Sequence, residues 1–203
     1  TNVLGLPLVW LAGGPVIVGS RRDHGVQRTV GEACAGRWCL RLAMQVVVNA
    51  EAIKQRLVRE KSLPADRILV IQNGLDLSRF PISYWGSQQP SGFEPHSVVF
   101  AVVANLRPEK GHLTFIRAAK MVASVYPEAR FVLVGDGPMR QKIEESIKEL
   151  GLDEKVQLVG SVTNVRLALQ SVDVVVSPSD TEGFPNAVLE GMAAAKPIVA
   201  TDA

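Results

Sequence analysis

Apolar residues gather in short runs in the first part of this chain. PVIVG at 15–19, VVV at 46–48 and RILVI at 67–71 are each bounded by polar or turn residues, as buried strands are. Between the last two, AEAIKQRLVRE at 50–60 spaces its apolar residues helically and is followed by Pro64, while Asn73-Gly74 marks a tight turn. This stretch predicts α/β structure. From 81 to 97, PISYWGSQQPSGFEPHS loses periodicity and collects Pro, Gly, Ser and Gln, the composition of a linker.

From 98 onward the pattern becomes regular. Strands are predicted at 98–104, 131–134, 156–159, 172–176 and 197–200, with helices near 112–125, 138–150, 163–170 and 186–194 between them. Such alternation implies βαβ units and a parallel sheet. VVFAVVA, FVLV and DVVVS are rich in β-branched residues and barely alternate, as strands covered on both faces should. Ligands of these sheets bind beyond the carboxyl ends of the strands, so the loops there carry the chemistry.

Composition narrows the class without naming a function. The 203 residues are 47% hydrophobic and 21% charged, ordinary for a globular protein, and exceed a typical single domain. A formal charge of +2, with no basic helical stripe, gives no reason to expect nucleic acid. VLGLPLVWLAGGPVIVG at 3–19 raises the question of a membrane span. Gly13, Gly14 and Pro15 break it below the roughly 20 continuous residues required, and no cationic flank of the secretory kind precedes it. A buried helix end, a turn and a strand is the expectation. Cys34 and Cys39 fit neither a redox pair nor a metal set and are expected to be buried thiols, suiting a reducing compartment.

Four loops follow the carboxyl ends of the later strands. NLRPEKGH, 105–112, places Arg107 and Lys110 where two cations can neutralise phosphate oxygens, or else forms a solvated turn. VGDGPMR, 134–140, puts Gly135 and Gly137 where a strand becomes a helix, so that a ligand could approach backbone amides. Arg140 stands where a dinucleotide fingerprint needs its third glycine, which argues against NAD or FAD. VGSVTN, 159–164, offers Gly160, Ser161 and exposed backbone for reading a flat ring, or a plain turn.

The fourth loop, SPSDTEGFPNAVLE at 177–190, holds two glutamates with seven residues between them. Pro185 suits a first helical position with Asn186 onward helical, which leaves amides around Gly183, Phe184 and Asn186 unpaired for an anion. Glu182 beside bound phosphate would be repelled unless it met another part of the ligand, and sugar hydroxyls are the obvious partner. Glu190 lies about 6 Å further along the helix axis, and a carboxylate can accept from both hydroxyls of a ribose diol. The alternative is a capping acid at Glu182 and a buried helix acid at Glu190. Among Val188, Leu189, Met192 and Ala193, burial of Glu190 without a partner would be costly.

With these motifs assembled, the chain resembles a retaining glycosyltransferase of family 4, with the two-domain GT-B fold. The family's E-x7-E element matches Glu182 through Glu190 within EGFPNAVLEGMAAAKPIVAT, and PEKG, VGDGP, VQLVG and VDVVVSPS precede it in family order. GSRRD, VVVNAEAIKQRL and VIQNGLDLSRF extend the likeness over the first half. The resemblance implies α/β structure with two Rossmann-like parallel-sheet domains, both incomplete: residues 1–82 from the acceptor domain, 83–97 a linker, and 98–203 the donor domain. Neither the family's opening glycine-rich turn and acceptor-side histidine nor its continuation beyond VATDA is identifiable, so the sequence reads as a fragment. His24 is a poor substitute for that histidine, His96 reads as a linker residue and His112 as a helix-start residue.

The resemblance further implies a UDP- or GDP-sugar donor, retention at the anomeric carbon and no metal or other cofactor. The acceptor would be a lipid, glycan or small molecule, in cytoplasmic assembly of cell envelope, lipid or polysaccharide, with the full-length protein either free in the cytoplasm or peripheral on the cytoplasmic face of the membrane. Lys110 would stabilise the leaving diphosphate, Glu182 contact the donor sugar, Gly183 and Phe184 offer amides to the phosphates, and Glu190 hold the ribose. The family's arginine, five residues before the lysine, is replaced by Asn105. Arg107 either substitutes for it or faces solvent. The rival functions are a sugar-nucleotide epimerase of the same fold and an inert nucleotide-binding module.

Overall fold

A computed structural model of the chain describes residues 2–13, 16–22, 30–80 and 97–202. They form two compact units, one of residues 1–74 with 182–184, the other of residues 75–181 with 185–203. The sequence pattern places the first boundary at 82. In the structure 75–80 go with the second unit, whose core Phe80 joins. Most of the expected linker lies outside the described residues, as do His24 and His96.

The first unit contains α1 (Asn2–Leu11), β1 (Val18–Arg21), α2 (Val30–Leu40), β2 (Gln45–Val48), α3 (Glu51–Arg59) and β3 (Ile68–Val70). Its three strands are parallel in the simple order β1-β2-β3. Ile53 and Leu57, one helical turn apart on α3, bury against Val46, Val48 and Ile68 of the sheet. Two expectations change here. Cys34 is exposed on α2 and only Cys39 is buried, because residues five apart on a helix face different ways. The end of α1 is not buried either: Leu8, Val9, Trp10 and Leu11 are exposed, and Leu6 alone of its described side chains reaches the core.

The second unit contains β4 (Val99–Val103), α4 (His112–Val125), β5 (Arg130–Val134), α5 (Arg140–Glu149), β6 (Val156–Gly160), α6 (Val165–Gln170), β7 (Val174–Ser177), α7 (Asn186–Ala193) and β8 (Ile198–Ala200). All five strands are parallel, in the order β6-β5-β4-β7-β8. The central strands β4 and β5 divide their side chains between two cores. Val102, Phe131 and Leu133 meet Phe115, Ile116, Ile143 and Ile147 of α4 and α5 on one face. Val99, Ala101, Val132 and Val134 meet Leu169 and Ala194 on the other. Burial on both faces is the physical origin of the unalternated apolar runs. Edge strand β6 does alternate, and β8 is largely exposed.

No helix among the described residues is long and apolar enough to cross a membrane.

Candidate functional site

The strand order creates the site. Succession runs outward from β4 to β5 to β6, then crosses to β7 on the other side of β4. Connections therefore diverge at the carboxyl ends of β4 and β7, the position at which open parallel sheets open a crevice for ligands. The loops beside that crevice are the two containing Arg107 with Lys110 and residues 178–181.

Chain geometry fixes the first loop firmly. Pro108 starts a single turn of 3₁₀ helix, Pro108–Lys110, and Gly111 ends it in the left-handed region at φ 65° and ψ 22°. A Cβ on Gly111 would stand 1.8 Å from the Pro178 carbonyl oxygen, so the turn rests directly on the chain leaving β7. Asp180 N–H donates to the Glu109 carbonyl at 2.9 Å, a second tie between the same loops. Lys110 is half-buried, whereas Arg107 and Asn105 are exposed. Both cations thus sit on one turn held against the β7 loop.

His112, read from sequence only as a helix-start residue, closes this loop from behind. It is 3% exposed, and its Nε2 lies 3.1 Å from the Asn105 carbonyl oxygen. Pairing with a carbonyl requires Nε2 to carry the proton, which leaves Nδ1 as the acceptor; that atom is buried without a partner. Burial, assisted by the neighbouring Lys110 charge, pulls the pKa of His112 below its ordinary value, against the opposing effect of the Asn105 carbonyl. The ring is accordingly neutral at pH 7.

The second loop differs from expectation in what its glycines do. A Cβ on Gly135 would stand 2.0 Å from the Ala104 carbonyl oxygen, and one on Gly137 2.7 Å from that of Leu106. Gly135 N–H donates to Gly160 O, and Gly137 N–H is taken by Asp136 Oδ1 at 2.7 Å. These amides are engaged, so both glycines serve loop packing rather than ligand approach. Leu106 N–H to Asp136 O and Met139 N–H to Leu106 O complete the seam between the β4 and β5 loops. Gly160 is half-buried at φ 80°, and Ser161 is exposed beside it.

Residues of the fourth loop divide between the units. Glu182, Gly183 and Phe184 group with the first, where Phe184 packs against the core containing Ile53. Among the described residues no hydrogen bond engages the amides of Gly183 and Phe184. Pro185, Asn186 and Glu190 belong to the second unit. Pro185 is the N-cap of α7 rather than its first helical residue, and its carbonyl accepts from Val188 and Leu189. Glu190 is half-buried and already engaged in a polar interaction. The adjacent Gly191 lets α7 lie close to the sheet, since a Cβ there would meet Ile198 at 2.7 Å and Val175 at 3.2 Å. Among the described residues no group of three or more His, Cys, Asp or Glu is placed to hold a metal ion.

Against known proteins, the model of the family described as glycosyl transferases group 1 matches residues 85–203, more than half of the chain. An Escherichia coli protein, UDP-Gal:alpha-D-GlcNAc-diphosphoundecaprenol alpha-1,3-galactosyltransferase, is 28% identical over 214 residues, covering 100% of this chain and 55% of that protein. An uncharacterized glycosyltransferase of Methanocaldococcus jannaschii, MJ1059, is 35% identical over 106 residues, 52% of this chain and 26% of that protein. Among solved structures, Anabaena Alr3699/HepE in complex with UDP-glucose superposes with a TM-score of 0.84 at 23% identity, over 100% of this chain and 57% of that one. The chain thus spans little more than half the length of the Escherichia coli and Anabaena proteins. The architecture is α/β of GT-B type, with Rossmann-like parallel sheets, and the chain belongs to the glycosyl transferases group 1 family.

Proposed function

We propose that the protein is the nucleotide-sugar-binding part of a retaining glycosyltransferase, acting in polysaccharide or lipid-linked sugar assembly. The observation that carries this reading is the basic turn of Arg107 and Lys110, held rigidly at the crevice where the five-stranded sheet changes direction. Support comes also from the UDP-Gal-dependent activity in the name of the Escherichia coli relative and from UDP-glucose in the Anabaena structure. A UDP-sugar is therefore the first donor to test, and a GDP-sugar the second.

In the reaction, the bond from the anomeric carbon to the diphosphate oxygen breaks and its electron pair leaves on the diphosphate. An acceptor hydroxyl oxygen bonds to that carbon on the same face and gives up its proton to the departing diphosphate oxygen. Negative charge grows on the leaving diphosphate, and a fixed cation aimed there lowers the barrier. Lys110 takes that role with Arg107 beside it, and on this reading they meet the charge in place of a metal ion. Glu182 contacts the donor sugar, the amides of Gly183 and Phe184 receive phosphate oxygens, and Pro185 and Asn186 present the start of α7. Glu190 holds the ribose. Gly160 and Ser161 shape the remaining wall through their backbone, while Gly135 and Gly137 tie together the loops behind it.

Calorimetric titration of the chain with UDP and GDP tests the donor site. Glu190→Ala should weaken nucleotide binding by about 1–3 kcal/mol, the value of a hydrogen bond to a charged group. Unchanged affinity in this variant would remove the ribose assignment, and absence of binding by either nucleotide would remove the proposal.

A further inference from the structure

A second concave site lies in the first unit, at the amino ends of β2 and β3, the edge of that sheet opposite its carboxyl ends. It is a hollow of about 440 Å³ bordered by Arg41, Lys61 and Arg67, with Val58 and Leu63 as its apolar flank. Arg41 and Arg67 are held in place by backbone. Arg41 Nη2 donates to Lys61 O at 3.2 Å and Nε to Ser62 O at 3.4 Å. Arg67 donates to the carbonyls of Arg41, Ala43 and Met44. These bonds staple the loops but neutralise no charge. Among the described residues none of the three cations forms an ion pair, and the nearby Glu60 carboxylate pairs with Arg56 at 2.7 Å.

Ser62 also lines the hollow, is 2% exposed, and its Oγ is buried without a hydrogen-bond partner. Such an orphan calls for an explanation. Lys61, meanwhile, adopts φ 52°. Its N–H donates to Val58 O and that of Ser62 to Leu57 O, the paired bonds that close a helix through a left-handed residue. Glycine normally occupies that position because a side chain there is strained. The equivalent cap of α5 does use glycine: Gly151 at φ 63°, with matching bonds to Lys148 and Ile147. α3 keeps a lysine there, and that lysine lines the hollow.

We propose that this hollow binds a phosphate-bearing ligand whose phosphate carries an apolar substituent. Lys61 and the remaining guanidinium donors take the phosphate oxygens, the Ser62 hydroxyl adds a hydrogen bond, and Val58 with Leu63 covers the apolar part. The site is separate from the crevice of the second unit and stands independently of the nucleotide-sugar reading.

The test titrates the 203-residue chain with phenyl phosphate and with inorganic phosphate, following backbone amide shifts of residues 58–67 at fixed ionic strength. Saturable binding is expected, with phenyl phosphate the tighter of the two. Lys61→Gly should weaken it at least about tenfold, as loss of a charged hydrogen bond does, while raising Tm by relieving the left-handed strain. Lys61→Arg should retain binding, and Ser62→Ala should weaken it without lowering Tm. Binding of phosphatidylglycerol vesicles that depends on Lys61 would identify a lipid headgroup as the source of the phosphate; binding of phenyl phosphate alone would identify a soluble ligand. Shifts that never saturate, that sodium chloride reproduces, or that persist unchanged in Lys61→Gly overturn the proposal.

Discussion

The two sheets use the same parallel βα arrangement but order their strands differently, and the consequences reach the loops. In the first unit β1, β2 and β3 follow one another across the sheet, whereas in the second the chain crosses from β6 to β7 and leaves a crevice between β4 and β7. Glycines mark the contrast. At the carboxyl edge of the second sheet, Gly111 and Gly135 stand where one loop's backbone touches another's; in the first unit, Cβ atoms on Gly13 and Gly74 would meet nothing within 4 Å. On the proposed reading the crevice holds a charged donor in one geometry and needs its loops tied to each other, because a misplacement of about 1 Å already costs catalysis heavily. Simple strand order imposes no such demand.

The comparison breaks most readily at Gly111. Gly111→Ala combines positive φ with a backbone collision and should lower stability by about 3 kcal/mol in urea denaturation. A change under ~1 kcal/mol would mean the β4 and β7 loops are not locked together. Next in size, Lys110→Ala in a full-length enzyme should reduce kcat roughly 10²-fold, as loss of a group stabilising transition-state charge does, with a smaller change in donor affinity. Equal losses in the two would assign Lys110 to simple binding.

A smaller effect of opposite sign is expected at the end of α7. Ala195 sits at φ 41° with the same paired bonds as Lys61, to Met192 and, from Lys196, to Gly191. Ala195→Gly should therefore raise stability by about 1 kcal/mol, and a loss of stability would show that this cap is relaxed. His112 should add a pH dependence. Its folded pKa lies below the ordinary 6.5, so between the two values the unfolded chain binds the proton and the folded one does not. Stability contributed by neutral His112 is present above pH 6.5 and falls as pH drops toward the folded value, levelling off below it. His112→Phe should flatten that part of the curve, and an unchanged slope would locate the titration elsewhere. Last, Gly74→Ala should stay within about 0.5 kcal/mol, since its Cβ meets open space.

Much of this was legible from pattern alone. Alternating βα segments, the apolar runs of β4, β5 and β7, and the basic loop at Arg107 and Lys110 were all read with boundaries close to those observed, because burial on two faces imposes its own composition. Exposure was less legible. Cys34 and the end of α1 looked buried because their residues are apolar, but only the packing of neighbours decides which apolar residues are covered. The glycines of the second loop were visible while their purpose was not, since the oxygens they accommodate belong to Ala104 and Leu106, about 30 residues earlier. The hollow of the first unit had no signal: Arg41, Lys61 and Arg67 come from three segments without a shared motif.

By itself, then, the sequence determined the element types, the doubly covered central strands and which loops carry cations and acids, since each is encoded by residues close together in the chain. Strand order belonged to the tertiary structure, and with it the meeting of the β4 and β7 loops, the neutral His112 behind Lys110 and the cations gathered around Ser62. These depend on non-local backbone contacts, which a local pattern of polar and apolar residues does not record.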